Sequence, residues 1–408
     1  MRSFKPAFSR RAAAPLLVAL LLLSLSPGCG KRAPNAPNAP AAPGGVGAVS
    51  GAVPRADGKT LVAAFLDIGQ GDSAVVETPG GKTILLDAGP PGSDDAILNY
   101  LRRRGITRLD YVVASHPHAD HIGGMARVLD ALPFGPVYDA AFATGSQVQE
   151  RYLTAIQKHG GRITKARAGQ SVPIDSGVTM EVLAPRDPLF EENDSDWINN
   201  NSVVVRFVYG RTRLLFTGDM EEKERQRLYM AGADLRADVL KVAHHGSRNG
   251  TDAEFLGRVQ PQVAVLSCEQ GNDYGHPHKE ALEALRAAQV PFLRTDLQGT
   301  ITLTCDNQGH IQQQTERQAD AAALNMPGNR KLSRPTRPGR EAGSRAPSAP
   351  PNAPAASSEP SGGFIGNTRS HIYHPANAPN LPAPQNRIHF NSREEAEAAG
   401  YRPARNAD

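Results

Sequence analysis

The sequence predicts an α/β domain in which two sheets pack together and carry helices on their outer faces. Three observations lead there. Strand-type runs come before and between helical stretches in both halves of residues 59–313. Turns containing Gly break those runs. Pro- and Ala-rich stretches bound the region, leaving about 250 residues, enough to bury a sizeable core.

The elements follow in order. Runs 61–68, 73–78 and 83–87 read as strands, and 94–104 reads as a helix stopped by Gly105. The apolar run 109–115 reads as a strand leading into a histidine cluster. Residues 122–132 and 148–159 read as helices. Strands 203–208 and 213–217 pair around Tyr209-Gly210-Arg211-Thr212. Helix 221–230, strand 238–243, helix 254–259, strand 263–266, helix 279–288 and a hairpin over 292–304 complete the pattern.

The flanks build no core. Among 408 residues 39% are hydrophobic and 33 are Pro, many of them outside the α/β region. Residues 1–29 read as an export signal: Arg2, Lys5, Arg10 and Arg11 precede an apolar run, 12–25, too short for a comfortable span. It ends in Ser26-Pro27-Gly28-Cys29, which resembles a lipoprotein cleavage site with Cys29 as the acylated residue. A plain secretory signal or a short uncleaved anchor is the alternative. Residues 30–58 read as a tether, 314–362 as a disordered linker and 363–408 as a small module. The net charge of +4 excludes a strongly basic nucleic-acid arm as the main theme but leaves room for a local patch. Of the three Cys, Cys268 and Cys305 remain beside Cys29, and both a disulfide and two buried thiols are open.

The chemistry concentrates in Ser115-His116-Pro117-His118-Ala119-Asp120-His121. His116 and His118 stand two residues apart, so an extended chain sends both imidazoles the same way. Asp120 and His121 follow just past the turn and serve a second ion. Imidazole and carboxylate together suit Zn²⁺, Mn²⁺ or Fe. Two other strand ends add to the set. Phe216-Thr217-Gly218-Asp219 offers an acid that bridges two ions, and Lys241-Val242-Ala243-His244-His245-Gly246-Ser247 offers a closing imidazole. Neighbours on a strand point to opposite faces, so one of His244 and His245 is expected to be the ligand. His245, next to Gly246, is favoured, with His244 facing substrate or supporting a ligand.

With these residues in place, the region from about 59 to 312 resembles the metallo-β-lactamase-fold domain of the ComEC family of competence DNA-uptake proteins. The matching pieces are Asp67-Ile68-Gly69-Gln70-Gly71-Asp72-Ser73, the His116–His121 run, Asn199-Asn200-Asn201-Ser202, Thr217-Gly218-Asp219, His244-His245-Gly246-Ser247 and Gly275-His276-Pro277-His278. The resemblance implies a four-layer αβ/βα sandwich holding two divalent ions, Zn²⁺ or Mn²⁺. It lacks the isolated His that true β-lactamases carry between the first cluster and the bridging Asp, an Asn-rich stretch standing there instead. His159 lies in that interval and reads as a surface residue. The implied chemistry is hydrolysis by an activated water, with Asp219 holding the ions and Asp120 orienting the nucleophile or handling its proton. Asn199, Asn201, Ser202, Ser247 and His276 are the candidates for binding phosphate oxygens.

Residues 364–408 resemble the small Ada-type zinc-binding module appended to secreted hydrolases, through Gly366-Asn367, Ser370-His371-Ile372-Tyr373-His374 and the stretch from Asn386 to Pro403. Ala378, Ala404 and Ala407 stand where Cys is expected, leaving His371, His374 and His389 as a poor ligand set. The leading functional expectation is an exported or envelope-anchored phosphodiesterase acting on DNA or RNA. A hydrolase of another ester, such as phosphorylcholine on cell-wall polymers or a lactone, is the runner-up, and a non-catalytic nucleic-acid binder is third.

Overall fold

A computed structural model of the chain describes residues 56–328 and then 363–367, 372–376, 387–390, 392–398 and 401–403. The expected signal segment with Cys29, most of the tether, residues 329–362 of the linker, and His371, Ala378, Ala404 and Ala407 lie outside the described residues. The chain divides into two compact units, Met1–Leu332 and Ser333–Asp408.

The large unit is built on two sheets. The first uses β1 (Leu61–Phe65), β2 (Ala74–Glu77), β3 (Thr83–Leu86), β4 (Tyr111–Val113), β5 (Val137–Asp139) and β6 (Ile163–Lys165). The second uses β7 (Ser171–Asp175), β8 (Val178–Ala184), β9 (Val204–Tyr209), β10 (Thr212–Phe216), β11 (Val239–Lys241), β12 (Val263–Leu266) and β13 (Phe292–Arg294). The chain then returns to the first sheet as β14 (Ile301–Cys305) and β15 (Ile311–Thr315), giving the order β15-β14-β1-β2-β3-β4-β5-β6.

Three cores show the layering. Phe65, Val76, Ile84, Val113, Val205, Phe207, Phe216, Val265 and Leu303 pack between the sheets. Ala64, Leu85 and Val112 pack under Ile97, Leu101, Val128 and Tyr152 of the helices on the first sheet. Val204, Leu215, Leu240 and Ala264 pack under Leu228, Phe255, Leu282 and Leu285 on the second. Strands covered on both faces read as continuous apolar runs, which is why Leu61–Phe65 shows no alternation. Phe65 stacks on Phe216 at 5.5 Å, joining the sheets just below the loop that carries Asp219.

Several expectations are corrected. Residues 292–304 form no hairpin: β13 pairs parallel with β12 in the second sheet, whereas β14 pairs antiparallel with β1 in the first. Helix Thr295–Gln298 makes the crossing between them. The single helix expected over 122–132 is two, Ala119–Ile122 and Met125–Ala131. They part at Gly123, where a Cβ would come within 2.3 Å of the Pro91 nitrogen and the Ala119 oxygen. The linker expected from 314 begins as structure: β15 runs to Thr315, helix Ala321–Leu324 follows, and Gly328 N donates to Pro277 O. Cys268 and Cys305 are both buried and free, which settles the open pairing.

In the second unit four strands form a sheet in which Phe364–Asn367 lies between Arg387–Phe390 and Ile372–Pro375, with Arg402–Pro403 outside the last. Tyr373, Phe390, Ala396 and Tyr401 are its core. His374 and His389 flank Ile365 from either side in register. Among the described residues, the clusters able to hold a metal ion all belong to the large unit.

Candidate metal centre

The candidate site sits where parallel strands of both sheets end. β4 delivers His116 and His118, and the short helix after it delivers Asp120 and His121. β10 delivers Asp219 and β11 delivers His244 and His245. Strand pairing brings β3 beside β4, and β11 beside β10 and β12, so each ligand loop starts from a fixed, buried strand. Cross-bonds tie the loops: Val203 N donates to Ser115 O at 2.7 Å, and His244 N donates to Gly218 O at 3.1 Å. Gly218 has φ +50, and a Cβ there would sit 2.7 Å from that of Ser115, so the turn presenting Asp219 admits only Gly.

Asp219 stands at the centre and is 1% exposed. Its Oδ2 lies 3.2 Å from His121 Nε2, 3.5 Å from His245 Nε2, 3.6 Å from His244 Nε2 and 3.9 Å from His116 Nε2. On one side Asp120, His121 and His245 join it, all their ligand atoms within 4.8 Å of one another. On the other side His116 Nε2 and His118 Nδ1 converge at 3.0 Å. His121 Nε2, His245 Nε2 and Asp219 Oδ1 are buried and make no hydrogen bond. Buried polar atoms without partners, aimed at one point and of these chemical types, fit a divalent cation.

Three of the rings are held from behind by acids. Asp87 Oδ2 lies 2.9 Å from His121 Nδ1 and accepts from Ser115 Oγ at 2.7 Å. Asp72 Oδ1 lies 3.1 Å from His245 Nδ1 and 3.0 Å from the buried Lys241 Nζ. Glu221 Oε1 lies 2.8 Å from His244 Nδ1 and accepts from Asn199 Nδ2 at 3.1 Å. Such contacts fix the ring orientation and leave Nε2 turned to the centre.

The electrostatics differ across Asp219. Burial holds His116 well below its ordinary value, with the neighbouring rings of His121 and His118 adding to the effect. Burial likewise lowers His118. Burial opposes charge on His121 and His245 too, but there carboxylates win. Asp219, Asp87 and Asp120 carry His121 well above its ordinary value, and Asp219 and Asp72 push His245 up to about 10. His244 is raised against its own burial by Asp219 and Glu221. Burial works against ionisation of Asp120 and Asp219, yet the facing imidazoles hold both below the usual carboxylate range.

Expectation and structure part at His244 and His245. They lie not on a strand but in the turn Ala243–Gly246, with φ +50 and +53. The left-handed backbone costs about 1–3 kcal/mol per residue and turns both rings toward Asp219, so the strand rule of opposite faces does not apply. His245 joins the Asp120–His121 group, and His244 approaches the same carboxylate from its Glu221 support.

The expected phosphate binders also divide. Asn201 is fully buried and exchanges two hydrogen bonds with the Phe190 backbone. Ser202 is fully buried, accepts from Asp219 N at 3.2 Å and lies 3.4 Å from His116 Nδ1. Both are therefore corrected from substrate contacts to supports of the ligand loops. Asn199 acts on Glu221, and Ser247 Oγ accepts from Asn249 N at 3.4 Å. His276 is brought beside His244, ring centroids 5.3 Å apart, and stays neutral: burial and then the two histidines push it down to about 3. His159 pairs with Asp130 at the surface, apart from the site.

Glu221, Asp87 and Lys241 were missed from the sequence. Leu86-Asp87-Ala88-Gly89 sets an acid at a strand end beside a Gly, as Phe216-Thr217-Gly218-Asp219 does with the Gly before the acid instead of after it. Lys241 is a lone charge in an apolar strand, a pattern that calls for a buried partner. Glu221 follows the bridging acid by two positions with no periodic signal.

A two-sheet sandwich that gathers imidazoles and carboxylates at its strand ends defines a metal-dependent hydrolase. The Metallo-beta-lactamase superfamily matches residues 66–270, and the chain belongs to it. It is 30% identical over 254 residues to ComE operon protein 3 of Bacillus subtilis (strain 168), covering 58% of this chain and 32% of that relative. It is 34% identical over 252 residues to Competence protein ComA of Neisseria gonorrhoeae, 61% and 33% of the two chains. It is 30% identical over 243 residues to Recombination protein 2 of Haemophilus influenzae, 58% and 28%. The chain thus spans about a third of the length of the curated relatives it matches. Among the described residues, no helix is long and apolar enough to cross a membrane.

Proposed function

We propose that the chain is a phosphodiesterase that cleaves DNA or RNA with two divalent ions, Zn²⁺ or Mn²⁺, outside the cytoplasm. His116, His118 and Asp219 would hold one ion, and Asp120, His121, His245 and Asp219 the other. Bound there, the ions lower the pKa of a water and balance charge on the phosphate oxygens.

The observation that carries the reading is an acid and a base on either side of Asp219. A phosphodiester must expel an alkoxide, which needs a proton as the P–O bond breaks. His244, braced through Nδ1 by Glu221 at 2.8 Å, turns its Nε2 to the centre, 3.6 Å from Asp219 Oδ2, where it would donate to that oxygen. Asp120, half-buried with its Oδ2 3.3 Å from His245 Nε2, would accept the proton of the attacking water. Buried Asp72, Asp87 and Lys241 hold the rings and need not move.

The names Competence protein ComA and Recombination protein 2 of two relatives support a nucleic-acid substrate. The basic start, the apolar run 12–25 and Cys29 support export and an acyl anchor, which a Cys29→Ser change would release from the membrane fraction. The deciding assay incubates the purified chain with Mn²⁺ or Zn²⁺ and labelled single-stranded DNA, beside a lactone and a phosphorylcholine ester. Strand cleavage that chelation abolishes is expected. Turnover of only the lactone or the choline ester overturns the reading.

A further inference from the structure

We propose that Tyr274 is a stacking platform for the nucleobase beside the scissile phosphodiester, and that the substrate is therefore single-stranded nucleic acid. The inference rests on the phosphodiesterase reading and names its substrate class.

The exposed large hydrophobic side chains among the described residues are Leu153, Met230, Tyr274 and Ile388, and of these Tyr274 alone is aromatic, at 65% exposure. It stands at the mouth of the metal centre. Its ring lies nearly parallel to that of buried His276, centroids 5.6 Å apart and planes 18° apart. The His276 ring is in turn 5.3 Å from that of His244 and 6.0 Å from that of His245. One ring thus separates Tyr274 from the imidazoles that face Asp219.

The backbone that carries the platform is fixed before anything binds. Tyr274 N donates to Asn272 Oδ1 at 3.1 Å, and His276 N donates to the same oxygen at 3.0 Å. Asn272 Nδ2 donates to Glu269 O at 2.8 Å, and His278 Nε2 lies 3.1 Å from Tyr274 O. His278 N donates to Gly246 O at 2.9 Å, which locks this loop to the turn holding His244 and His245. With one face on His276 and most of its surface in solvent, the ring offers its other face at low ordering cost.

A ligand that places a phosphodiester at the metal centre and a flat aromatic face one short step away is a nucleotide chain. In a duplex each base is already stacked on its neighbours, so the free face is a property of single strands. Aromatic platforms of this kind accept every base, and cleavage is expected to show little sequence preference.

The test compares the metal-loaded wild type, Tyr274→Phe and Tyr274→Ala on a labelled single-stranded oligonucleotide and on an abasic strand of equal length. Tyr274→Ala is expected to lose roughly 5- to 150-fold in kcat/KM on the base-bearing strand, mostly through KM, and to match the wild type on the abasic strand. Tyr274→Phe keeps the ring and is expected to stay within about twofold of the wild type. Equal losses on both strands, or a Phe variant as poor as the Ala variant, overturn the platform. If the wild type cleaves neither strand, the phosphodiesterase reading fails, and fluorescence anisotropy then judges the platform separately. A preference for the base-bearing strand that Tyr274→Ala removes supports it, and equal binding of both strands overturns it.

Discussion

The two sides of Asp219 are built differently although they share that carboxylate. On the Asp120 side, His121 and His245 are backed by Asp87 and Asp72 and carry protons while no cation is bound. On the His116 side no such acid stands behind the rings among the described residues; His116 is buried, His118 half-buried, and both are held toward the neutral form. There His244, braced by Glu221 at 2.8 Å, faces Asp219 at 3.6 Å. One side is thus organised by charge and the other by desolvation. A cation on the first side would have to displace protons from the rings, whereas on the second the rings are neutral and share one proton between His116 Nε2 and His118 Nδ1 at 3.0 Å.

The comparison breaks first at the shared residue. Asp219→Asn is expected to cost on the order of 10⁴-fold in kcat and to empty both sides together, read by turnover and metal content. Retention of one full equivalent of metal would show that the sides are independent. Next comes the acid. His244→Ala is expected to lower cleavage of an alkoxide-leaving phosphodiester by about 10²-fold, with much less effect on a p-nitrophenyl ester, whose leaving group needs no proton. An equal loss on both would make His244 a ligand rather than a proton donor.

The support on the charged side gives a smaller effect. Asp72→Asn frees His245 Nδ1 and strands Lys241 without its partner, a change worth about 3–5 kcal/mol of stability for a buried pair. Metal affinity on that side is expected to fall about 10- to 100-fold while the His116 side is spared, as read by calorimetric titration.

The proton difference predicts opposite pH responses. His245 is raised from 6.5 to about 10 in the fold, so its contribution to the stability of chelated protein is complete below about pH 6.5 and is lost as pH rises toward 10. Cation binding must expel that proton, so affinity on the Asp120 side is expected to climb about tenfold per pH unit for each proton released, and on the His116 side to stay nearly flat. Thermal melts with and without chelator across that range check the sign. The smallest effect on chemistry belongs to Asn201→Ala. It should cost about 1–3 kcal/mol of stability through the unpaired Phe190 backbone and leave KM unchanged, since buried Asn201 spends its amide on that backbone.

Asp120, His121, His116 and His118 were legible because their spacing is local: a strand end and the first turn of a helix fix where four side chains within six positions go. The apolar runs were legible for the same reason, as strands covered on both faces leave no polar positions. The hairpin expected over 292–304 was misread because which sheet a strand joins depends on partners far away in sequence, and β14 finds β1 across more than two hundred residues.

What the sequence by itself determined is the inventory: the ligand types, their attachment to strand ends and the glycines that let the turns close. What only the tertiary structure decided is the direction each group faces. A left-handed turn puts His244 and His245 on one side, Glu221 is carried under His244, Asp72 meets Lys241, and the loop from Asn272 stands Tyr274 at the mouth. The reason is physical. Residue type and local spacing act over a few bonds, whereas orientation in a buried site is set by which distant groups share the same low-dielectric space.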